Sequence, residues 1–274
     1  MVKFVTDLLV EEAPGGAERV DDTVITYFNL NVIKSADFKP IKGEFYILSN
    51  VSLVPQSKLE YLADNCKYAI LEHDYKFHHT RHPWRFENNI VPPNEIINRK
   101  LYKNAKAIFV QTKDHLDVFK LNGIEGNFVN LDCSIWSTKE LETLRELYYL
   151  SRLKESSFAV IDSRNWIKNT KQSIEFCKNM KIDYTLIANQ DYDSFLKALS
   201  KHAALVFFPI ARETCCRLLV EARCLGLNVI TSDNSGAFNS KWFTLSGLEL
   251  IDYLKDQSLL NLQNIQSVLN ENKN

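Results

Sequence analysis

Short apolar segments alternate with amphipathic segments along most of the chain, and this alternation restricts the possible folds more than any other sequence feature. A short apolar run bounded by turn residues predicts a buried strand, and an apolar stripe with helical spacing predicts a helix. Strands that alternate with helices favour a parallel sheet covered by helices. The predicted strands are Phe4–Leu8, Leu30–Ile33 (at an edge), Phe45–Asn50, Tyr68–Glu72, Ala107–Gln111, Phe128–Leu131, Phe158–Asp162, Tyr184–Ala188, Ala204–Pro209 and Asn228–Ser232. The predicted helices are Ala17–Phe28, Ser57–Cys66, Asn94–Asn104, Lys113–Asn122, Thr170–Met180, Tyr192–Ser200, Cys215–Leu225 and Ser246–Lys255.

The charged segment Ser137–Glu155 interrupts the alternation, since it has helical periodicity and contains no Gly or Pro. We interpret residues 137–157 as a helical connection between an N-terminal domain, 1–136, and a C-terminal domain, 158–274. The predicted fold class is therefore α/β, with two Rossmann-like domains whose parallel sheets face a cleft. In such sheets ligands bind at the carboxyl ends of the strands. Packing of the last helix against the first domain is left open, and the Asn-rich tail is expected to fray at its end.

The composition excludes some classes of protein. The formal net charge is −1 and the pI about 6.6, whereas proteins that make many phosphate contacts are usually basic. Extensive nonspecific nucleic-acid binding is therefore not expected, although a local basic patch is compatible with these values. The N-terminal segment does not resemble a signal peptide and no apolar run reaches about eighteen residues. We expect a cytoplasmic protein (in the host cytoplasm if it is viral) without a transmembrane segment, and leave peripheral membrane contact open.

The six cysteines indicate neither a zinc site nor a disulfide framework. They form no C-x-x-C pair and have no zinc-finger spacing relative to the histidines. We expect six reduced thiols, most of them buried.

The segment FFPIARETCCRLLVEARCLG, residues 207–226, carries the strongest functional signal. A predicted strand ends at Pro209, Glu213 lies in the following loop, and Glu221 lies about two turns into the next helix. The backbone N–H groups of residues 214–217 would form a helix N-terminus, which suits an anionic ligand. The structural alternative makes Glu221 a solvated helix residue and Glu213 a partner of the helix dipole.

This Glu-x7-Glu arrangement, followed by the strand and turn VITSDNSGA, resembles retaining glycosyltransferase family 4, including its short phage-type members, and implies the GT-B fold. In that family the second glutamate binds the ribose of the donor nucleotide and the first contacts the donor sugar. The resemblance therefore assigns ribose binding to Glu221 and sugar binding to Glu213. It assigns contacts with the sugar or phosphate to the amides of Thr214 and Cys215.

Two further segments resemble the same family. FVTDLLVEEAPGGAERV is similar to its strand, glycine loop and helix, which implies that Gly15 and Gly16 lie against the donor diphosphate. A Gly-Gly turn that merely starts the helix is the alternative. SRNWIKNTKQ is similar to the Arg/Lys pair that neutralises the departing diphosphate, which implies Arg164 and Lys168, with Lys171 as a competing assignment. The family's glycine before the arginine is Ser163 here.

His73 ends a predicted strand in ILEHDYKF, where the family often has a histidine near the reaction centre, and Asp74 is its weaker neighbour. The loop KFHHTRHPWRF, residues 76–86, follows. Because such loops hold acceptors, its basic and aromatic side chains are candidates for acceptor contacts: His78, His79, Arg81, His82, Trp84 and Arg85. The alternative is a solvated surface loop anchored by Trp84 and Phe86.

The resemblance implies a retaining transferase that moves a sugar from a nucleoside-diphosphate donor to a hydroxyl acceptor. No carboxylate cluster is placed to hold Mg²⁺ or Mn²⁺ on the diphosphate, so neither a metal nor another cofactor is expected. The acceptor stays open among a saccharide, a lipid, a protein and a hydroxymethylated DNA base, the last typical of phage-type DNA glycosyltransferases. An inactive nucleotide-sugar-binding module is a further alternative, favoured by the departure at Ser163.

Overall fold

The computed structural model describes residues 2–151, 154–188 and 190–271. Its internal contacts divide the chain into two compact units. Met1–Ile135 and Gln257–Asn274 form the first unit, and Trp136–Asp256 forms the second. The domain boundaries proposed from the sequence stay a prediction.

The first unit contains a six-stranded parallel sheet with the strand order β2-β1-β3-β4-β5-β6. β2 lies at an edge, where the sequence predicted it. The strands are β1 (Val2–Thr6), β2 (Asn31–Lys34), β3 (Phe45–Leu48), β4 (Lys67–Leu71), β5 (Ile108–Val110) and β6 (Phe128–Asn130). The helices are α1 (Gly16–Phe28), α2 (Gln56–Asn65), α3 (Arg99–Asn104) and α4 (Lys113–Leu121).

The second unit contains a four-stranded parallel sheet with the order β10-β9-β7-β8. Its helices include the predicted charged helix as α5. The strands are β7 (Glu155–Ile161), β8 (Tyr184–Ile187), β9 (His202–Val206) and β10 (Asn228–Ile230), and the helices are α5 (Thr138–Leu150), α6 (Thr170–Asn179), α7 (Tyr192–Ser200) and α8 (Arg217–Cys224). The last helix, α9 (Gly247–Asn270), begins in the second unit and ends in the first. The predicted α/β fold with two parallel sheets is confirmed.

Both faces of the first sheet pack against apolar clusters, as is usual for a parallel sheet. Along β3, Tyr46 and Leu48 pack into one cluster while Phe45 and Ile47 pack into the cluster on the opposite face, as the two-residue period of a strand requires. The second cluster also contains apolar side chains from the C-terminal half of α9: Leu262, Ile265 and Leu269.

Two predicted elements differ from the structure. The helix predicted over Asn94–Asn104 is only the six-residue α3, because Ile96 instead forms a bridge with His78 and the left-handed Asn98 (φ 61°) precedes the helix. The last helix is longer than predicted, since α9 continues beyond Lys255 into the Asn-rich tail as far as Asn270 with its apolar face buried, and fraying at the end of the tail stays a prediction. The final three residues of that tail lie outside the described part of the chain.

Candidate functional site

The loops after β7 and β9 lie side by side at one edge of the second sheet, because these neighbouring strands are parallel and their carboxyl ends coincide. The backbone N–H of Ile210 donates to the carbonyl of Ile167 at 2.9 Å and joins the two loops. Lys168 in the first loop donates from Nζ to Oε1 of Glu213 in the second, at 2.6 Å. Lys168 and Glu213, which were predicted as site residues from two different segments, therefore form one ion pair.

The backbone fixes both members of this pair. Lys168 ends a 3₁₀ turn, Trp166–Lys168, that Asn165 caps by accepting from the N–H of Ile167 at 3.1 Å. Glu213 donates its N–H to the carbonyl of Asn234 at 3.0 Å and accepts from the N–H of Gly236 at 2.9 Å. Burial by itself lowers the pKa of Lys168, but the Glu213 carboxylate and the neighbouring Cys216 together more than offset this, so the net shift is upward and the amine is charged at neutral pH.

The other two cations of this segment are placed differently. Arg164 is exposed to solvent in the loop after β7. Lys171 lies on the outer side of α6, with its side chain 88% exposed and its Nζ 3.8 Å from Glu175 of the same helix. The structure therefore brings Lys168, but not Lys171, to Glu213.

Ser163, where the resembled family has a glycine, sits in an ordinary backbone conformation, since it does not adopt a positive φ angle. Its N–H donates to Oγ1 of Thr170 at 3.1 Å, which ties the loop to the start of α6. A glycine is therefore not sterically required at this position.

The predicted start of α8 is wrong by two residues. The helix begins at Arg217, since Cys216 adopts a left-handed conformation with φ 69°. Thr214 and Cys215 therefore belong to the loop rather than to the helix. The Cys215 carbonyl accepts from the N–H of Ala237 at 2.9 Å and from the hydroxyl of Ser235 at 3.0 Å, which fixes this loop against the segment after β10.

Glu221 is buried, which contradicts the alternative that it is a solvated helix residue. Its Oε1 accepts a hydrogen bond from the hydroxyl of Tyr192 at 2.7 Å. The Nε of Arg217, one helical turn earlier, is 3.9 Å from the same oxygen. Arg217 also donates to Glu140 at 2.6 Å, and its guanidinium lies 3.6 Å from the ring centroid of Trp136.

Arg217 and Tyr192 were not among the site residues predicted from the sequence. The spacing of four residues between Arg217 and Glu221 was a usable signal, because such pairs share one helix face. Tyr192 gave no local signal, since 29 residues separate it from Glu221.

In the first unit, His73 follows β4 and is held by residues from two other elements. Its Nε2 is 2.8 Å from Oδ1 of Asp21 in α1, and its Nδ1 is 3.3 Å from Nε2 of Gln111, just after β5. Asp21 is 1% exposed and also accepts from the hydroxyls of Thr6 and Ser49. Because the Gln111 amide donates to Nδ1, the geometry favours the tautomer with the proton on Nε2, facing Asp21.

Gly15 and Gly16 are exposed at the start of α1, and neither adopts a positive φ angle. A Cβ on Gly15 would meet the carboxylate of Glu18, in the first turn of the helix. Burial raises the pKa of Glu18, and the nearby carboxylates of Asp21 and Asp7 act in the same direction. This end of α1 is therefore rich in carboxylates.

Asp74 belongs to a buried charge network rather than to an open site. Its carboxylate accepts from Arg81 at 2.8 Å and lies 3.3 Å from Nζ of Lys76, which also pairs with the fully buried Glu72. Burial alone would raise the pKa of Asp74, but Lys76 and Arg81 more than offset this and hold it at about 2. Arg81, proposed as an acceptor contact, thus already has an ionic partner within the loop.

Only the second half of the loop 76–86 resembles the solvated loop of the alternative interpretation. Lys76, Phe77 and His78 are buried, and His78 bonds to Glu95 at 3.1 Å and Thr80 at 2.9 Å. The reason is the backbone hydrogen bond from Ile97 to Phe77, 2.7 Å long, which draws this half into the core.

The exposed side chains of the second half are His79 and Arg85, while Trp84 is half-buried with the Arg85 guanidinium 5.6 Å from its ring centroid. His82 is also half-buried and accepts from Nε1 of Trp84 at 3.3 Å. The structure therefore groups four of the six acceptor candidates at the outer part of this loop.

One Asp-x-Asp sequence is present, Asp191–Asp193, at the start of α7. Both carboxylates are exposed, and Asp191 caps the helix by accepting from the N–H of Ser194 at 3.0 Å. Within residues 2–151, 154–188 and 190–271, no group of three or more His, Cys, Asp or Glu side chains is arranged to hold a metal ion.

None of the helices in the described part of the chain is both long and apolar enough to span a membrane.

Both units contain a parallel sheet with candidate residues in the loops at the strand ends. The similarity to solved glycosyltransferase structures shows that the chain has the GT-B fold. HepE from Anabaena, in complex with UDP and glucose, is 12% identical, with a TM-score of 0.53 over 97% of this chain and 91% of that chain. A trehalose-6-phosphate synthase studied for glycosyl transfer with retention is 11% identical, with a TM-score of 0.52 over 85% of this chain and 71% of that chain. The UDP-forming α,α-trehalose-phosphate synthase of Burkholderia vietnamiensis is 10% identical, with a TM-score of 0.52 over 92% of this chain and 80% of that chain. No protein-family model and no curated protein matches the sequence.

Proposed function

We propose that this chain is a glycosyltransferase that transfers a sugar from a nucleoside-diphosphate donor to a hydroxyl acceptor, with retention and without a metal. The observation that carries the proposal is the Lys168–Glu213 pair at the carboxyl ends of β7 and β9, with Glu221 buried in the helix that follows. The same fold in HepE, solved with UDP and with UDP-glucose, supports a nucleotide-sugar donor. The retention studied in a trehalose-6-phosphate synthase of this fold supports that stereochemical outcome.

In this proposal the cations of the second unit stabilise the departing diphosphate. Negative charge grows on the leaving phosphate as the glycosidic bond breaks, and fixed positive charges lower the energy of that state. Lys168 supplies such a charge, because Glu213 keeps it protonated and oriented. Arg164 is the second cation, since it is exposed in the same loop.

The two glutamates have separate roles in the proposal. Glu213, about one-fifth exposed beside Lys168, contacts the donor sugar, and the Thr214 and Cys215 amides contact sugar or phosphate. Glu221 binds the ribose hydroxyls. We further propose that Gly15 and Gly16 approach the diphosphate and that His73, held in one orientation by Asp21 and Gln111, contacts the donor sugar.

The acceptor contacts are proposed in the outer half of the loop 76–86. His79, Trp84 and Arg85 offer the exposed or half-exposed hydrogen-bonding and stacking groups of that loop. Arg81 is a weaker candidate than these three because Asp74 already binds its guanidinium.

The decisive experiment compares two lysines three residues apart. Release of sugar from a panel of nucleotide sugars is measured for the wild type, Lys168→Ala and Lys171→Ala. We expect Lys168→Ala to lose about a hundredfold or more in turnover, the size typical of removing one charge-stabilising donor. Lys171→Ala should stay within about twofold, since Lys171 is exposed and contacts only its helix neighbour among the contacts described above.

Three other outcomes would contradict the proposal in different ways. A wild type that binds a nucleotide sugar but never releases its sugar, even with acceptors present, would indicate the inactive binding module. Equal losses in both variants would remove Lys168 from its special role, and a larger loss in Lys171→Ala would reverse the assignment.

A further inference from the structure

The carboxylate of Glu221 lies in a buried cluster in which acids outnumber the strong base. Glu140 and Glu221 are both buried, and Arg217 is the guanidinium between them. Arg217 is within hydrogen-bonding distance of Glu140, at 2.6 Å, but 3.9 Å from Glu221. A buried carboxylate needs hydrogen-bond donors to offset the loss of water. The Nε of Arg217 is thus beyond hydrogen-bonding distance of Oε1 of Glu221.

The hydroxyl of Tyr192 is a donor to this same oxygen, since it bonds to Oε1 of Glu221 at 2.7 Å. Burial raises the pKa of Tyr192, and the Glu221 carboxylate raises it further, so the phenol keeps its proton and can only donate to Glu221. The hydrogen bond therefore runs from the phenol to the carboxylate.

The start of α7 holds Tyr192 in place. Asp191 caps the helix, and the carboxylates of Asp191 and Asp193 are both exposed to solvent. Tyr192, between them, is half-buried and reaches the α8 side chain of Glu221. The orientation of the Glu221 carboxylate is therefore coupled to the segment that follows β8.

We propose that Tyr192 is the positioning residue for Glu221: its hydroxyl orients the carboxylate that recognises the vicinal hydroxyls of the donor ribose. This inference rests on the proposed function and extends it to a residue that the Glu-x7-Glu spacing does not indicate. Without the hydroxyl, the carboxylate has lost a donor and rotates toward Arg217. Affinity that depends on the ribose hydroxyls is then lost, while affinity that depends on the diphosphate is kept.

The test uses one pair of ligands, UDP and its 2′,3′-dideoxy analogue, and calorimetric affinities for four proteins: the wild type, Glu221→Gln, Tyr192→Phe and Tyr184→Phe. Tyr184 lies in β8 of the same unit and packs against an apolar cluster, so it is the matched control. We expect Tyr192→Phe to bind UDP about ten- to a hundredfold more weakly, as for one hydrogen bond to a charged group, and the analogue within about twofold. Glu221→Gln should show the same selective loss, and Tyr184→Phe neither.

The ratio of the two affinities is measured on one preparation, so partial unfolding does not alter it. Tyr192→Leu, which also removes the hydroxyl, replaces Tyr192→Phe if that variant does not fold. Equal losses for the two ligands, or an unchanged affinity for UDP, would overturn the positioning role while leaving the proposed function standing. If the wild type binds neither UDP nor any other nucleoside diphosphate, the proposed function fails and this inference fails with it.

Discussion

At the scale of single residues, Glu213 and Glu221 differ in their surroundings although the sequence presents them as a pair. Glu213 lies in a loop and contacts a lysine. Glu221 is buried in a helix and contacts a phenol. This difference leads to different expectations for their neutral variants.

Glu213→Gln should lower turnover much more than it weakens nucleoside-diphosphate binding, because a displaced donor sugar misaligns the reacting carbon. A misplacement of about 1 Å can cost on the order of a hundredfold. Glu221→Gln should mainly raise the Michaelis constant, since it removes binding shared by the ground and transition states. Steady-state kinetics and product affinities of both variants test this, and the opposite pattern would mean that the two roles are exchanged.

Asp21 is a buried carboxylate that joins three segments of the first unit by hydrogen bonds. It is buried and accepts hydrogen bonds from Thr6, Ser49 and His73. Asp21→Asn should lower the free energy of unfolding by about 1–3 kcal/mol, because an amide N–H₂ would face groups that themselves donate. The exposed neighbour Asp22 supplies the control, since Asp22→Asn should change stability by less than about 0.5 kcal/mol. Urea unfolding of both variants measures the difference, and similar losses would show that Asp21 is not specifically paired.

At the scale of elements, α4 is tied to the loop after β4 through His115. Its Nε2 donates to the carbonyl of Asp74 at 2.7 Å, and its Nδ1 accepts from the N–H of Gln111 at 3.2 Å. Burial lowers the pKa of His115 to about 3. The folded protein therefore keeps this histidine neutral, whereas the unfolded chain protonates it near pH 6.5.

The sign of the resulting pH dependence follows from proton binding. Between about pH 6.5 and pH 3 the unfolded state binds the extra proton, so stability falls as the pH falls. From pH 7 to pH 5, His115 should account for a loss of about 2 kcal/mol. His115→Gln should be less stable at pH 7 but should lose less on acidification by about that amount. Urea unfolding at pH 7, 6 and 5 gives both slopes, and parallel slopes would contradict the assignment.

The Asp74 carboxylate reinforces this behaviour at lower pH. With its pKa held at about 2, below the usual 3.8, its ion pairs stabilise the protein fully above about pH 4. That contribution disappears as the pH falls toward 2. The loop after β4 is therefore expected to be the acid-sensitive part of the first unit.

At the scale of the whole molecule, the proposal requires cations of the protein to perform the role that a divalent ion has in other transferases. We expect activity to persist in excess EDTA, because Lys168 and Arg164 supply positive charge and the described residues offer no cluster suited to a metal. Asp191 and Asp193 are the residues to examine if chelation abolishes activity and Mn²⁺ restores it. The Asp191→Asn variant should keep its activity if the proposal is correct, and it should keep its stability within about 0.5 kcal/mol, because the asparagine Oδ1 can still accept from the N–H of Ser194 and cap the helix.

Local periodicity allowed much of the fold to be predicted. The two parallel sheets, the edge position of β2 and the bounds of α7 follow from apolar runs and helical spacing. Where the prediction was wrong, a contact with a distant part of the chain had overridden the local pattern. The bridge between Ile96 and His78 shortened the predicted helix to α3. The Cys215 carbonyl accepts from Ala237 and Ser235 instead of from α8, which begins at Arg217.

The sequence by itself determined the alternation of strands and helices, and thus which loops follow which strands. The tertiary structure decided which lysine reaches Glu213, that Glu221 is buried beside Tyr192, and that half of the loop 76–86 belongs to the core. The physical reason is distance along the chain. Strand and helix preferences depend on residues a few positions apart, whereas the Lys168–Glu213 and Arg217–Glu140 pairs join residues 45 and 77 positions apart and exist only when both elements are packed.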